Sequence, residues 1–496
     1  MKSSQIVLCA VFTFVLAPVA VTQAQGWPEV FDPLQLLALH LEMDNADWQT
    51  IQNDESLSIE VPAMFWADGE DPILVSVRRK SADPLNNGGG YTKVSLKIDI
   101  NEFVPGQMWR SLRKLSLENG DDQDVVSEGL AWNLHRFAGG PEGYGYSAGL
   151  GSWVTLNING TDTGVYVNAE QRDKRFLQNR GLHTPDETWL YKVSDLNGME
   201  LKVGGPEDSP TVETLCYSPF QGPTDECPTP PSEVLAAELP RLINMQGLLS
   251  LAAVNAFVSN PDAMFSHGKN FYFADFLTTH ARMHFPWDQD SVLGGGGNSD
   301  MYATGSPYSE ILLAVPEFRA QYSQIMNDLI CGPLSENSVI SFLNAVEPML
   351  TDPLTADPNN QIEGTVADHF DGLRNWVTNR IAEVTAQIEN YEECCPDADG
   401  DGVCDSDDIC PKGDDNIDTD GDGIPDACDD DSSPCGNCPT DVDGSGDTGA
   451  FDLAMLLGAW GSCGASEACE CLDADDDNTI SASDLAALLG AWGPCN

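Results

Sequence analysis

Positive charge is what this chain has least of. Its 496 residues hold 23 Lys and Arg against 79 Asp and Glu, a formal net charge of −56. Nucleic-acid phosphate and anionic membranes both need positive surface, so neither is expected as a partner. Long apolar runs are lacking beyond the N-terminal stretch. The most apolar later segment, "LINMQGLLSLAAVNAFV" from Leu242, is interrupted by Asn244, Gln246 and Asn255 and reads as a buried helix, so no membrane span is expected. His135, His267 and His284 have no metal-ligand partner at suitable spacing. The sequence has no GxSxG nucleophile elbow and no HExxH, which removes the usual signs of serine hydrolases and zinc proteases. No spacing singles out the paired acids of a glycosidase.

What is present begins with "MKSSQIVLCAVFTFVLAPVAVTQAQG": one Lys, an apolar run and a small residue at Ala24. This predicts a signal peptide over 1–24 and a secreted or cell-surface protein. About 470 remaining residues suffice for two to four domains. Cys9 leaves with the signal, and the other 14 of the 15 cysteines are mostly crowded beyond Cys394. Small disulfide-braced modules in an oxidising compartment are the expectation. Cys216 and Cys227 can close a Pro-rich loop; the other pairings stay open.

From Glu392 onward there are 28 acidic residues and one basic residue, Lys412. Their spacing is regular. In "DADGDGVCDSDD", Asp397, Asp399, Asp401 and Asp408 occupy loop positions 1, 3, 5 and 12, and "DTDGDGIPDACD" repeats this with Asp418, Asp420, Asp422 and Asp429. Oxygen ligands at those positions, with glycine at the turn, are what Ca2+ needs to gather its ligands from one short loop. These units, over 394–433, resemble thrombospondin type-3 repeats. A second duplication follows, "DVDGSGDTGAFDLAMLLGAWGSC" and "DADDDNTISASDLAALLGAWGPC", with starting aspartates 32 residues apart. Asp441, Asp443, Ser445, Asp447 and Asp452 fit a calcium loop in the first copy; Asp473, Asp475, Asp477, Thr479 through its carbonyl, and Asp484 fit it in the second. Each loop runs into a short apolar helix. This EF-hand pair, over 434–496, resembles a dockerin type I module, which implies a cohesin-like or cell-surface partner.

Residues 27–393 form the main body. "ILVSVRRKS" (73–81) and "YTKVSLKIDI" (91–100) alternate as strands around the turn "NNGGG". "VVSEGLAWNLHRFAG" (125–139) is helical, with Val126, Leu130, Leu134 and Phe137 on one face and Gly139 ending it. "SWVTLNINGTDTGVYVNAEQRDKRFLQNR" reads as strand, NG turn, strand, connector and a helix from about Asp173. After a Pro-rich insertion (205–232) come a long apolar helix to about Val258, the loop "SNPDAMFSHGKN", the strands "FYFAD" and "ARMHF", and then helices through much of 308–390. An amphipathic one runs through Val366, Phe370, Leu373, Val377, Ile381, Val384 and Ile388. The second strand ends in "FPWDQDSVLGGGG". Asp288 and Asp290, spaced i, i+2, can share a hydrated cation there, and the glycines leave the next segment free to move.

Strands bearing Lys, a helix bearing Glu, a hairpin, a long helix, an Asp/Asn loop and an acidic strand end follow the plan of a protein kinase. Phosphoryl transfer asks mainly for cations on the phosphates and a carboxylate near the attacking hydroxyl. The segments "VSVRRKS…YTKVSLKIDIN", "LRKLSLENG…SEGLAWNLHRFAGGP", "LNINGTDTGVYVNAEQRDKRFL", "NPDAMFSHGKNFYF" and "FPWDQDSVLGG" resemble, in sequence and order, the spore-coat CotH kinase family over nearly all of 30–390. The resemblance implies an α+β, atypical two-lobed kinase fold. It further implies transfer of phosphate from Mg-ATP to Ser or Thr of an extracellular protein. It assigns Asp262 as catalytic base, and Asn270, Asp288 and, as an additional ligand, Asp290 to Mg2+. Lys97 is the choice for the phosphate lysine, with Lys93 an open alternative on the same strand face. Glu128 is placed to pair with that lysine, and Glu170, Gln171 and Asp173 to contact adenine and ribose. Ordinary kinases place GxGxxG before the lysine strand; none stands here. Two other readings stay open: a non-catalytic surface or scaffold protein with a degenerate kinase-like fold, and a dockerin-borne component of a polysaccharide-degrading complex.

Overall fold

The structure, a computed structural model, describes residues 26–81, 84–85, 92–121, 123–139, 148–195, 198–205, 207–215, 229–294, 300–357, 359–391, 394, 403, 408–415, 417, 424–429, 440, 442, 447–462, 472–474 and 477–494. The chain divides into two compact units. One comprises Met1–Met326 with Glu336–Glu389, the other Asn327–Ser335 with Asn390–Asn496. The expected signal peptide, the "NNGGG" turn, the Cys216–Cys227 loop and the glycines after Gly294 lie outside the described residues.

The first unit opens with α1 (Trp27–Val30), β1 (Leu37–Glu42), α2 (Asn45–Asn53), β2 (Val61–Ala67), β3 (Ile73–Arg79), β4 (Leu96–Asp99) and β5 (Lys114–Glu118). There follow α3 (Val125–Ala138), β6 (Gly151–Ile158), β7 (Thr161–Ala169) and α4 (Lys174–Asn179). These strands form a closed barrel in the order β1-β2-β3-β4-β5-β7-β6. Closure comes from β1 lying parallel to β6, with Leu39 opposite Leu156. Alternation along each strand sends Leu39, Leu41, Phe65, Val75, Val77, Ile98, Leu115 and Leu156 into one apolar core. The strand-by-strand reading of the sequence did not contain this closure.

A second sheet combines β8 (Thr188–Asp195), β9 (Gly198–Val203), β10 (Phe271–Phe276) and β11 (Met283–Pro286) in the order β11-β10-β8-β9. Every residue of β10 is buried, as befits an inner strand covered on both faces. Between these strands lie α5 (Pro210–Thr214), α6 (Ser232–Leu242), α7 (Met245–Phe257) and α8 (Met264–His267). The long apolar helix read to Val258 is α7, capped by Asn244, whose side chain accepts from the Gly247 N–H at 3.0 Å. It packs beneath β11. After α9 (Pro307–Leu313) and α10 (Pro316–Cys331), α11 (Glu336–Ala356) packs on α12 (Val366–Gln387), whose buried Val366, Phe370, Leu373, Val377 and Val384 match the expected stripe. The chain is thus a mixed helix-and-sheet protein.

Helix α3 packs against β6 and β7. Glycine makes this possible: a Cβ on Gly129 would overlap the Trp153 indole, and one on Gly151 would crowd Trp132. Asp124 caps the helix, accepting from the N–H groups of Val126 and Ser127 at 2.9 Å each.

In the second unit, disulfides join Cys331 to Cys394 and Cys410 to Cys428. Farther on, α13 (Ala450–Gly458) and α14 (Ala482–Gly490) flank a small core of Leu456, Leu472, Ile480 and Leu488. The sequence duplication is repeated in the hydrogen bonds. Asp452 accepts from the Val442 N–H at 2.8 Å, and Asp484 accepts from the Ala474 N–H at 2.8 Å.

Candidate functional site

Lys93 and Lys97, the two candidates for the phosphate lysine, have different surroundings. Lys93 is wholly buried; its Nζ lies 2.8 Å from Asp357 and donates to the Val165 carbonyl at 2.6 Å. A lysine so enclosed is a brace between the barrel and the residues after α11. Simple alternation fails here because residues 93–96 are buried in succession and only Leu96–Asp99 form β4. Lys97 instead lies half-buried among Lys114, Arg78, Lys80 and Lys202, and burial followed by these like charges lowers its pKa to about 8. Among the described residues no carboxylate pairs with it. Its four cationic neighbours are each paired, Lys114 with Asp99, Arg78 with Glu60, Lys80 with Glu118 and Lys202 with Glu200, which leaves Lys97 as the cation of this group able to take an added anion.

Lys80, just past the end of β3, is the residue the sequence reading missed. It is ion-paired with Glu118 at the end of β5, and its Nζ stands 4.9 Å from the centroid of Trp287. Burial opposes its charge most strongly, but Glu118 and Asp288 outweigh that and lift its pKa above the ordinary lysine value. Lys192 on β8 also faces Trp287, at 5.6 Å, and Asp288 acts on it. Trp287 is only 6% exposed and packs edge-on against Trp132 and Tyr272. Cations from both sheets therefore approach its ring. The sequence signal for Lys80 and Glu118 was weak: each is a single charged residue at a strand end.

The acidic members converge from three directions. Glu128, in the first turn of α3, is 3% exposed, and its Oε2 has no hydrogen-bond partner. Burial, then the charges of Glu118 and Asp290, push its carboxyl well above the usual carboxylate range, while Lys80 works the other way. The lysine acting on Glu128 is thus Lys80, where the sequence reading had considered Lys97. A buried carboxylate oxygen without a partner, facing further carboxylates, is an arrangement a divalent cation would relieve. The chemistry of the donor set fits Mg2+, although among the described residues no three His, Cys, Asp or Glu side chains are already arranged as ligands.

Asn270 precedes β10 and Asp288 follows β11. The register pairs Phe271 with Pro286, which sets both residues at the same end of that hairpin. Both have left-handed backbones, with φ of 59° and 57°. Asn and Asp are the non-glycine residues that adopt this conformation most readily. Gln289, between the two aspartates, turns inward. Its side-chain oxygen lies 3.2 Å from His135 Nε2 on α3 and accepts from Asn260 Nδ2 at 3.4 Å. Asp262 begins the next turn; its N–H donates to Asn260 at 2.9 Å, and its half-exposed carboxylate lies 3.0 Å from Lys269 Nζ. One inward amide thus connects α3, the Asp262 loop and the acidic strand end.

The residues assigned to the nucleoside have other engagements. Glu170 forms a two-pronged pair with Arg180, at 2.7 and 2.8 Å, and accepts from the Leu150 N–H. Asp173 caps α4, accepting from Arg175 and Phe176 N–H groups, and burial raises its pKa. Between them Gln171 has a buried side-chain nitrogen without a partner.

Of the calcium-loop candidates, Asp397, Asp399, Asp401, Asp418, Asp420, Asp422, Asp441, Asp443, Ser445 and Asp475 lie outside the described residues, as does the side chain of Asp447. Asp408, Asp429, Asp452, Asp473, Asp477, Thr479 and Asp484 are described. Asp473 accepts from the N–H groups of Asp477 and Asn478 at 3.1 and 2.7 Å, so it organises its own loop.

No helix among the described residues is long and apolar enough to cross a membrane. No curated protein matches the chain. A family model described as CotH kinase protein matches residues 89–384, more than half of the chain, and spans Lys97, Glu118, Glu128, Asp262 and Asp288. The chain belongs to the CotH kinase family.

Proposed function

We propose that this protein is a secreted CotH-type protein kinase that transfers the γ-phosphoryl group of Mg-ATP to Ser or Thr of extracellular proteins. One observation carries the reading: Lys80 and Lys192 both stand by Trp287, at 4.9 and 5.6 Å from its ring centroid, and feel the charge of Asp288, while buried Glu128 feels that of Asp290. Lys97 and Lys80 hold ATP phosphates in this scheme. Asn270, Asp288 and Asp290 would hold Mg2+, which supplies charge neutralisation on the phosphates. Asp262 takes the proton from the attacking hydroxyl as its oxygen bonds to the γ-phosphorus and ADP departs. Lys269 keeps the Asp262 carboxylate in position. Gln289 fixes the distance between base and phosphate site.

The C-terminal unit acts as a calcium-binding tether in this reading. Support comes from the repeated aspartate spacing and the equivalent backbone contacts of Asp452 and Asp484. Leu457 and Trp460 in one copy and Leu489 and Trp492 in the other are exposed, which suits docking on a cohesin-like partner.

Incubation of the full chain with labelled ATP, Mg2+ and an extracellular protein fraction should label Ser or Thr, and Asp262→Ala and Asp288→Ala should abolish it. Equal labelling by either variant would remove that residue from its role. A non-catalytic binding protein is the second reading, favoured by Lys80 being already paired with Glu118. It predicts that Mg2+ with ATP leaves the melting temperature unchanged while Ca2+ raises it.

A further inference from the structure

We propose a second binding site, for a neutral carbohydrate chain, on the outer wall of the barrel. Register places Asn157 on β6, His40 on β1 and Trp66 on β2 side by side. Their strand neighbours Leu39, Leu41, Phe65 and Ile158 fill the core, so these three side chains face outward. The His40 and Trp66 rings stack with centroids 5.0 Å apart and planes 8° from parallel. They border a cleft of about 620 Å³ that also takes in Glu42, Asn45 and Asn159.

The polar groups of this cleft are held in place before any ligand arrives. His40 Nε2 lies 2.6 Å from Asp68. Asn157 donates to Asp162 at 2.7 Å. Asn159 accepts from the Met43 N–H at 2.8 Å and donates to Asn45 at 2.9 Å. Fixed side chains lose little entropy on binding. Flat rings offer an apolar face to the C–H side of a sugar, while the amides, with both donors and acceptors, and Glu42 suit its hydroxyls. The cleft has the volume of a small-molecule site. No Lys or Arg lines it, so an anionic ligand is disfavoured. Glu42 is the carboxylate lining it, so a cationic ligand is the alternative that a Lys-rich peptide tests. Strands β1 and β2 precede residue 89, so most of this platform lies outside the part of the chain that defines its family.

The test titrates the full chain, by calorimetry and tryptophan fluorescence, with hexamers of β-1,4-glucose, β-1,4-xylose, β-1,4-N-acetylglucosamine and α-1,4-glucose. At least one should bind, and Trp66→Ala should weaken it by about tenfold or more. Asn157→Ala and Glu42→Gln, at solvent-facing positions, should weaken it with melting temperatures unchanged. The proposal is overturned if no hexamer binds at millimolar concentration, if these variants bind as the parent does, or if only a Lys-rich peptide occupies the cleft.

Discussion

Asn260 donates a hydrogen bond to Gln289 across 3.4 Å, and through it the loop bearing Asp262 is tied to the strand end bearing Asp288 and Asp290. The same Gln289 oxygen faces His135, so a single buried amide sets the spacing of three elements. Replacing it with Leu keeps the volume and removes the polar link. Gln289→Leu should cost about 1–3 kcal/mol of stability and lower phosphoryl transfer by about a hundredfold, mostly in kcat, because misplacement by an ångström is enough. Steady-state kinetics beside urea unfolding will separate the two effects. Activity unchanged at the measured loss of stability would dismiss the coupling.

Lys93 and Lys97 should respond oppositely to the same substitution. Lys93→Met leaves Asp357 as an uncompensated buried charge and is expected to destabilise by about 3–5 kcal/mol. Lys97→Met should leave the melting temperature unchanged or raise it while abolishing the stabilisation conferred by Mg-ATP. Thermal scans with and without nucleotide decide both.

The pH dependence of Lys97 has two opposed parts. Its folded pKa, about 8, lies below the ordinary 10.5. Below about pH 8 the lysine is charged in both states, and holding that charge half-buried among other cations costs stability. Between about 8 and 10.5 only the unfolded chain keeps the proton, so this contribution to stability improves as pH rises. Phosphate binding needs the cation and should weaken across the same range. Nitrogen-detected NMR of labelled lysine, with ATP added, should show the titration moving upward.

His135 gives a slope of the same sign, at acid pH. Burial lowers its pKa from 6.5 to about 3, so the folded protein keeps the ring neutral. Above pH 6.5 it contributes no slope. As pH falls from there toward 3, the unfolded chain binds a proton that the folded chain refuses, and stability declines. Urea midpoints measured at successive pH values should fall less steeply in His135→Gln.

Gly129→Ala tests the approach of α3 to β6. Alanine normally favours a helix, but here its methyl meets the Trp153 indole. A loss of about 1–3 kcal/mol is expected from overpacking. Because Glu128 is its neighbour, Mg-ATP affinity should fall with it.

Local pattern carried the sequence reading wherever neighbouring residues decide the outcome. The NG turn between β6 and β7 and the stripe of α12 are such cases, as is the helix start near Asp173, since each depends on contacts a few residues away. The barrel was invisible because β1 pairs with β6 across more than a hundred residues, a relation that no period records. Lys80 and Glu118 escaped for a similar reason. Nothing local distinguishes a strand-end charge bound for solvent from one that will meet an aspartate from the opposite sheet. The choice of Lys97 over Lys93 rested on resemblance, and the physical difference between them, full enclosure against Asp357, arises only in three dimensions.

Barrel closure has one further consequence. The staves β1, β2 and β3 all come before residue 89, where the matched family region begins. A chain shortened to that boundary would strip β4 and β6 of partners and leave two raw sheet edges, inviting self-association. It would also lose Lys80. The segment by which kinship is recognised is therefore smaller than the segment that must fold together, and anyone producing this protein in pieces should cut ahead of Trp27 rather than at the border of its homology.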